Sequence, residues 1–339
     1  MADDANRQWL LASRPQGTPT MDDFELVEGD VPEPGTDEVL VRTLYMSVDP
    51  YMRGRMRDAE SYAEPWDVGD VMRARAVGEV VESNHHGYEP GDVVTGNLYW
   101  GEYAVAGGHE LTPVDPDLAP ISTYLGVLGM PGQTAYFGLL DVGDPKPGDT
   151  VFVSGAAGAV GSVVCQIAKL NGCRVVGTAG SDAKIEWLTE DLGVDEAINY
   201  KEADVRSAVK DATPEGVDVY FDNVGGPVTD AVFTRLNVRA RVAVCGQIDQ
   251  YNATEVPTGP RKLAMLIQTR ATVEGLLVSD FADRFAEASK RLGSWVASGD
   301  VQYRETVTEG VENAPDAFLG LFEGENIGKQ LVKVGERGG

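Results

Sequence analysis

A chain of 339 residues with 42% hydrophobic side chains is long enough for two domains, each with its own core. Its 54 acidic and 28 basic residues give a formal net charge of -26, which repels nucleic acid and anionic membrane surfaces and argues against both as partners. The acid excess runs along the whole chain, and nine lysines stand beside nineteen arginines, so we read it as a surface adapted to concentrated salt.

Residues 1–6 show no basic stretch leading into an apolar core, and no later segment supplies about 18 unbroken apolar residues, so a cytoplasmic protein is expected. From about Trp9 to Leu118, short β-type runs such as 38–44, 77–81 and 92–95 alternate with turn clusters at 32–35, 89–92 and 106–108. This pattern predicts a small, mostly antiparallel barrel or sandwich. One of its loops, Asp49-Pro50-Tyr51-Met52-Arg53-Gly54-Arg55-Met56-Arg57, mixes aromatic, thioether and guanidinium groups and is a candidate lining for an amphipathic organic molecule.

From about Ser122, strands are separated by helical patterns of a dozen or so residues, the signature of βαβ units. Strands are predicted at 150–154, 174–179, 196–200, 217–222, 241–245 and 271–278, which makes a six-stranded, doubly wound parallel sheet. A helix over 280–298, with Phe281, Phe285, Leu292 and Trp295 on one stripe, is expected to stop at Gly299. The last segment is again β-like and is expected to return to the first domain. Cys165, Cys173 and Cys245 each lie within or beside an apolar element, which favours buried free thiols over a disulfide framework.

The first strand runs into Gly155-Ala156-Ala157-Gly158-Ala159-Val160-Gly161 and then into a helical pattern. Strand, glycine turn and helix together make a cradle for a pyrophosphate, with helix N-terminal amides facing the anion. Which dinucleotide it takes is decided at the end of the second strand, Thr178-Ala179-Gly180-Ser181-Asp182-Ala183-Lys184. The strand end lacks the carboxylate that usually meets an unphosphorylated ribose, whereas Ser181 and Lys184 can offer a hydroxyl and a cation to a 2′-phosphate. Spacing alone leaves open that Ser181 caps a helix and Lys184 is a solvated first-turn lysine, although the scarcity of lysine tilts the reading towards NADP. The loop Asp222-Asn223-Val224-Gly225-Gly226 leaves the fourth strand at the same end; Asn223 there either bonds a nicotinamide or ribose or merely caps a tight turn.

Only three cysteines and three histidines occur, the histidines (His85, His86, His109) all before residue 122 and the cysteines all after it, so a zinc mechanism is not expected. No Gly-x-Ser-x-Gly elbow occurs either.

The runs 49–56, Gly126-Val127-Leu128-Gly129-Met130-Pro131-Gly132, 136–140, 155–161, 180–184, 222–226 and Gly324-Glu325-Asn326-Ile327-Gly328-Lys329 together resemble the zinc-independent medium-chain dehydrogenase/reductases, most nearly the NADPH-dependent curcumin reductases and the prostaglandin reductases. The likeness spans nearly the whole chain. It implies an α/β architecture of two parts, a GroES-like β-rich catalytic domain (1–122, completed by 301–339) and a Rossmann NADP-binding domain (123–300). It further implies that Lys184 and Tyr200 contact the adenosine 2′-phosphate and that Asn223 and Asn326 contact NADPH. The loop Cys245-Gly246-Gln247-Ile248-Asp249-Gln250-Tyr251 would close over the nicotinamide side, with Leu276 and Val278 also at the cofactor. Tyr251 is the residue expected to assist chemistry, and Tyr51, Met52, Tyr62 and Met130 the expected pocket lining, with plain core packing as the alternative for Tyr51 and Met52. The implied reaction is hydride transfer to the β carbon of an enone by a homodimer. A quinone reductase and a catalytically silent NADP-binding protein are the alternatives.

Overall fold

The computed structural model describes residues 5–338, so residues 1–4 and 339 of the expected first domain and C-terminal segment lie outside the described residues. The chain divides into two compact units, one of residues 1–125, 305–326 and 330–339 and the other of residues 126–304 and 327–329. Among the described residues no helix is long and apolar enough to cross a membrane.

The first unit is built on a seven-stranded sheet whose long strand, Glu38–Ser47, pairs antiparallel with Arg73–Ser83 and also with Tyr103–Gly107 and Lys329–Lys333. The sheet continues through Val93–Tyr99 to Thr112–Pro113 at one edge and through Lys329–Lys333 to Glu305–Glu309 at the other. Val39, Val41 and Met46 pack in the core of this unit and Leu40 and Leu44 are buried as well, so Glu38–Ser47 is buried over most of its length rather than in strict alternation. A separate antiparallel pair, Ala5–Leu11 with Phe24–Asp30, is tied to the last part of the chain by the Trp9 indole, which donates to the Val311 carbonyl at 2.8 Å. The helix Ala314–Glu323 was not expected from sequence; its Phe318 meets Trp100 edge-on at 5.8 Å, and Trp100 stacks on Phe24 at 6.2 Å.

The second unit holds a six-stranded sheet in the order Glu196–Asn199, Arg174–Ala179, Thr150–Val153, Val217–Asp222, Leu236–Val244, Thr272–Gly275, with every neighbouring pair parallel. Chain order reverses between Thr150–Val153 and Val217–Asp222, so the crevice that holds ligands in such sheets opens at the carboxyl ends of these two strands. Two predicted elements are corrected. The last strand is Thr272–Gly275 rather than 271–278, and the helix predicted over 280–298 is regular only over Phe285–Ser298. Phe281 takes a non-helical backbone (φ −108°, ψ 17°) and its ring stacks flat on Phe137 at 4.8 Å, so packing against the core overrides the helical periodicity of its neighbours. Gly299 ends the helix at φ +80°.

Candidate cofactor and active-site residues

The turn after Thr150–Val153 has the form a pyrophosphate cradle requires. Gly155 sits at φ +60°, and a Cβ on Gly161 would lie 2.3 Å from the Gly155 carbonyl oxygen, so the start of the helix Gly161–Leu170 can approach the turn only without a side chain. A Cβ on Gly158 would meet nothing nearer than that same carbonyl at 3.3 Å, which leaves the outer side of the turn open to a ligand. Ala156 and Ala157 are buried, and Gly158, Ala159 and Val160 are half-buried. The residues therefore fit a bound diphosphate through backbone amides, with the two alanines facing the core.

At the end of Arg174–Ala179, Ser181 occupies the N-cap position of the short helix Asp182–Glu186 but makes no capping hydrogen bond, so the alternative that it caps finds no support here. Lys184 is half-buried, and burial together with the neighbouring Lys201 ammonium holds its pKa below the usual lysine value. A Cβ on Gly180 would lie 2.9 Å from the Tyr200 hydroxyl and 3.1 Å from Lys201 Cε, so Tyr200 and Lys201 flank the same strand end. Burial also raises the pKa of Tyr200, which keeps its hydroxyl protonated. Two lysine ammonium groups therefore share this strand end. Sequence reasoning missed Lys201; its signal was adjacency to Tyr200 in a lysine-poor chain.

Asn223, directly after Val217–Asp222, donates from its backbone to Ser154 Oγ at 2.9 Å and from its side-chain amide to the Ser154 carbonyl at 2.8 Å. Its orientation is thereby fixed at the reversal point of the sheet. Cys245 and Gly246 both donate their backbone N–H groups to the Asp222 carbonyl, at 2.8 and 3.0 Å. Cys245 is half-buried rather than fully buried as expected, and burial pushes its thiol up to about 12; Cys165 and Cys173 are buried, and all three are free. Tyr251 is half-buried, its hydroxyl accepts from the Gln247 N–H at 3.4 Å, and burial raises its pKa above the ordinary value of 10.0. Leu276 and Val278 follow the last strand and are half-buried. Met130 is half-buried at the start of the helix Met130–Phe137.

In the first unit, Met52 is corrected. It is 0% exposed and packs in the hydrophobic core with Met46 and Met56, so the thioethers of this loop are structural and the alternative reading is the one the geometry supports. Arg53 is buried as well, donating to the Pro15 and Gly17 carbonyls, and burial pushes its pKa down to about 10. Tyr51 is half-buried against the same core, while Tyr62 is 66% exposed. Asn326 is half-buried in the first unit.

Among the described residues no group of three or more His, Cys, Asp or Glu side chains could hold a metal ion. Residues 7–114 match a family model described as the N-terminal domain of oxidoreductase, and 159–294 match one described as zinc-binding dehydrogenase. The donor set does not fit the metal in that second description. The chain is 55% identical to YfmJ of Bacillus subtilis over 335 residues, 98% of each chain. It is 47% identical to the NADPH-dependent curcumin reductase of Escherichia coli over 97% of each chain. The crystal structure of CurA from Vibrio vulnificus in complex with NADPH superposes with a TM-score of 0.94 at 46% identity, covering 97% of this chain and 99% of that one. The chain belongs to the zinc-independent medium-chain dehydrogenase/reductases, in the branch that holds the curcumin and prostaglandin reductases.

Proposed function

We propose that the protein is an NADPH-dependent reductase of the activated carbon–carbon double bond of α,β-unsaturated ketones and aldehydes. The observation that carries this reading is the pairing of an open glycine cradle at Gly155–Gly161 with the lysines Lys184 and Lys201 beside Tyr200, in a chain 47% identical over nearly its full length to an NADPH-dependent curcumin reductase. The mouse prostaglandin reductase 1 and the tobacco NADP(+)-dependent 2-alkenal reductase, at 44% and 43% identity, support the same substrate chemistry.

When bound, NADPH supplies a hydride to the β carbon of the enone. The backbone amides of Gly155–Gly161 would hold the diphosphate, Ser181, Lys184 and Tyr200 the 2′-phosphate, and Asn223 the ribose or nicotinamide. Asn326, Cys245, Gly246, Leu276 and Val278 complete the proposed cofactor set. As the double bond is reduced, negative charge gathers on the substrate's carbonyl oxygen, and a hydrogen-bond donor aimed at that oxygen lowers the barrier. Tyr251 is proposed as that donor: its raised pKa keeps the hydroxyl protonated at every ordinary pH. Tyr51, Tyr62 and Met130 are proposed substrate contacts.

The protein is further proposed to act in the cytoplasm, in concentrated salt, as a homodimer. Three free cysteines support a reducing compartment, and the charge of -26 supports the salt. The strand Thr272–Gly275 ends its sheet, is exposed along its length, and lies in a unit that also exposes Leu263 and Ile267, which supports pairing with a second copy. The test of function is NADPH consumption with a simple enone and with a quinone, at high salt. Turnover of the enone with loss of its double bond is expected; turnover of the quinone alone would overturn the reading.

A further inference from the structure

The carboxylate of Asp222 is 1% exposed and accepts six hydrogen bonds, all from neutral donors. Its Oδ1 receives Ser154 Oγ at 2.8 Å, the Tyr220 hydroxyl at 2.7 Å and the backbone N–H groups of Val224 and Gly225 at 3.0 and 2.9 Å. Its Oδ2 receives Thr229 Oγ1 at 2.7 Å and Gln247 Nε2 at 2.9 Å. A buried carboxylate without a cation is costly unless its lone pairs are filled, and here they are filled by groups from three separate segments.

Two of these contacts lead to residues of the proposed site. Ser154 passes the contact to Asn223, whose backbone N–H it accepts at 2.9 Å. Gln247, tethered to Asp222 by its side-chain amide, passes it to Tyr251 through its own backbone N–H, which the Tyr251 hydroxyl accepts at 3.4 Å, and Gln250 in turn donates to Gln247 Oε1 at 3.2 Å. The two loops touch where only glycine fits: a Cβ on Gly225, at φ +78°, would lie 2.3 Å from Gln247 Oε1. The Asp222 carbonyl fastens the same loop a second time through Cys245 and Gly246.

Resting on the reading of Asn223 and Tyr251 given above, we propose that Asp222 is a positioning residue that sets the cofactor-facing amide of Asn223 and, through Gln247, the hydroxyl of Tyr251 from a single buried carboxylate. Hydrogen bonds to a charge are the stronger kind, so one such group can hold two loops in a shared geometry.

The experiment uses the full chain carrying Asp222→Asn, Gln247→Ala, Tyr251→Phe, and Gln247→Ala with Tyr251→Phe. NADPH affinity is read by calorimetry, turnover with an enone, and folding by circular dichroism and thermal melting. Asp222→Asn sets an amide donor against the Gln247 or Thr229 donor; it is expected to weaken NADPH binding and lower kcat by about tenfold or more each, the scale of a lost charged hydrogen bond. Gln247→Ala removes the side-chain tether to Asp222 but keeps the backbone N–H that Tyr251 accepts, so it frees the loop from the carboxylate, and is expected to lower kcat about tenfold while moving NADPH affinity less than about threefold. The double variant is expected to turn over no more slowly than Tyr251→Phe alone, because the two act through one group. A folded Asp222→Asn with unchanged affinity and kcat, an unchanged kcat in Gln247→Ala, or losses that multiply in the double variant would overturn the proposal. If Asp222→Asn does not fold, the Gln247 and Tyr251 variants decide. A wild-type protein that binds NADPH but reduces no enone defeats the functional reading alone, and the affinity of Asp222→Asn then decides whether the carboxylate places Asn223.

Discussion

Gly328 donates its backbone N–H to the carbonyl of Ala157 at 2.8 Å, so the glycine cradle is latched by a residue from the far end of the chain. Gly158 and Gly328 form a parallel bridge at the same point. Gly328 lies at φ +71°, and a Cβ there would fall 2.0 Å from the Arg304 carbonyl oxygen. Gly328→Ala is therefore expected to cost roughly 1–3 kcal/mol of stability and to weaken NADPH binding. A thermal melt with and without NADPH checks both, and an unchanged melting temperature would contradict the latch.

Lys184→Ala is expected to reduce NADPH affinity by about tenfold or more and to leave NADH affinity nearly unchanged, because only the 2′-phosphate meets the ammonium. The pH dependence has a definite sign. The folded pKa of Lys184 lies below the ordinary 10.5, so on its own its charge opposes folding at neutral pH, and that cost falls away as pH rises from the lowered value to 10.5. The same deprotonation removes the partner of the phosphate. The preference for NADPH over NADH, measured by binding across pH 7–10, should thus decline on the alkaline side earlier than an exposed lysine would allow.

Tyr251→Phe is expected to lower kcat with an enone by about 10²-fold while leaving NADPH affinity intact. Since burial raises the Tyr251 pKa, its ionisation should place no falling limb on the pH–rate profile below about 10. A wild-type profile that falls near pH 8, and flattens in the phenylalanine variant, would refute that assignment.

The charge of -26 sets up self-repulsion that salt screens. Raising KCl from about 0.1 M to about 2 M shortens the screening length from about 10 Å to about 2 Å and is expected to raise the melting temperature by several degrees. A melting temperature indifferent to salt would reject adaptation to brine.

Val273, 41% exposed on the terminal strand, and Ile267, 79% exposed on the helix Leu263–Thr269, are the proposed dimer contacts. Val273→Lys combined with Ile267→Glu is expected to yield a folded monomer, read by light scattering. A wild-type mass of one chain would end the proposal.

Local features of the chain were the most readable. Strand, glycine turn and helix follow one another within a score of residues, and the βαβ pattern gives the six parallel strands of a doubly wound sheet. What escaped the sequence depends on distant partners. Whether Ser181 caps could not be told from its position, and only the geometry shows that it does not. Met52 sits in a loop whose composition suits a ligand as well as a core, and only its burial separates the two. Asp222 read as the end of a strand; its role depends on Ser154 and Gln247, which lie far from it in sequence. The helix Ala314–Glu323 hid between two β-like stretches, and its signals, Pro315 in the first turn and Gly324 at the cap, became plain only with its boundaries.

The strand Lys329–Lys333 lies between Glu305–Glu309 and Glu38–Ser47, and joins them into one sheet. During synthesis, the first of these strands leaves the ribosome long before its neighbour exists. Tyr103–Gly107 covers residues 38–42 of that edge early, but until Lys329–Lys333 emerges the 45–47 end of Glu38–Ser47 stays unpaired, and the cradle carries an unlatched turn. The nascent chain thus completes its first sheet only after the whole second unit has been made, so its yield should depend on chaperones and on translation speed more than the stability of the finished fold would suggest.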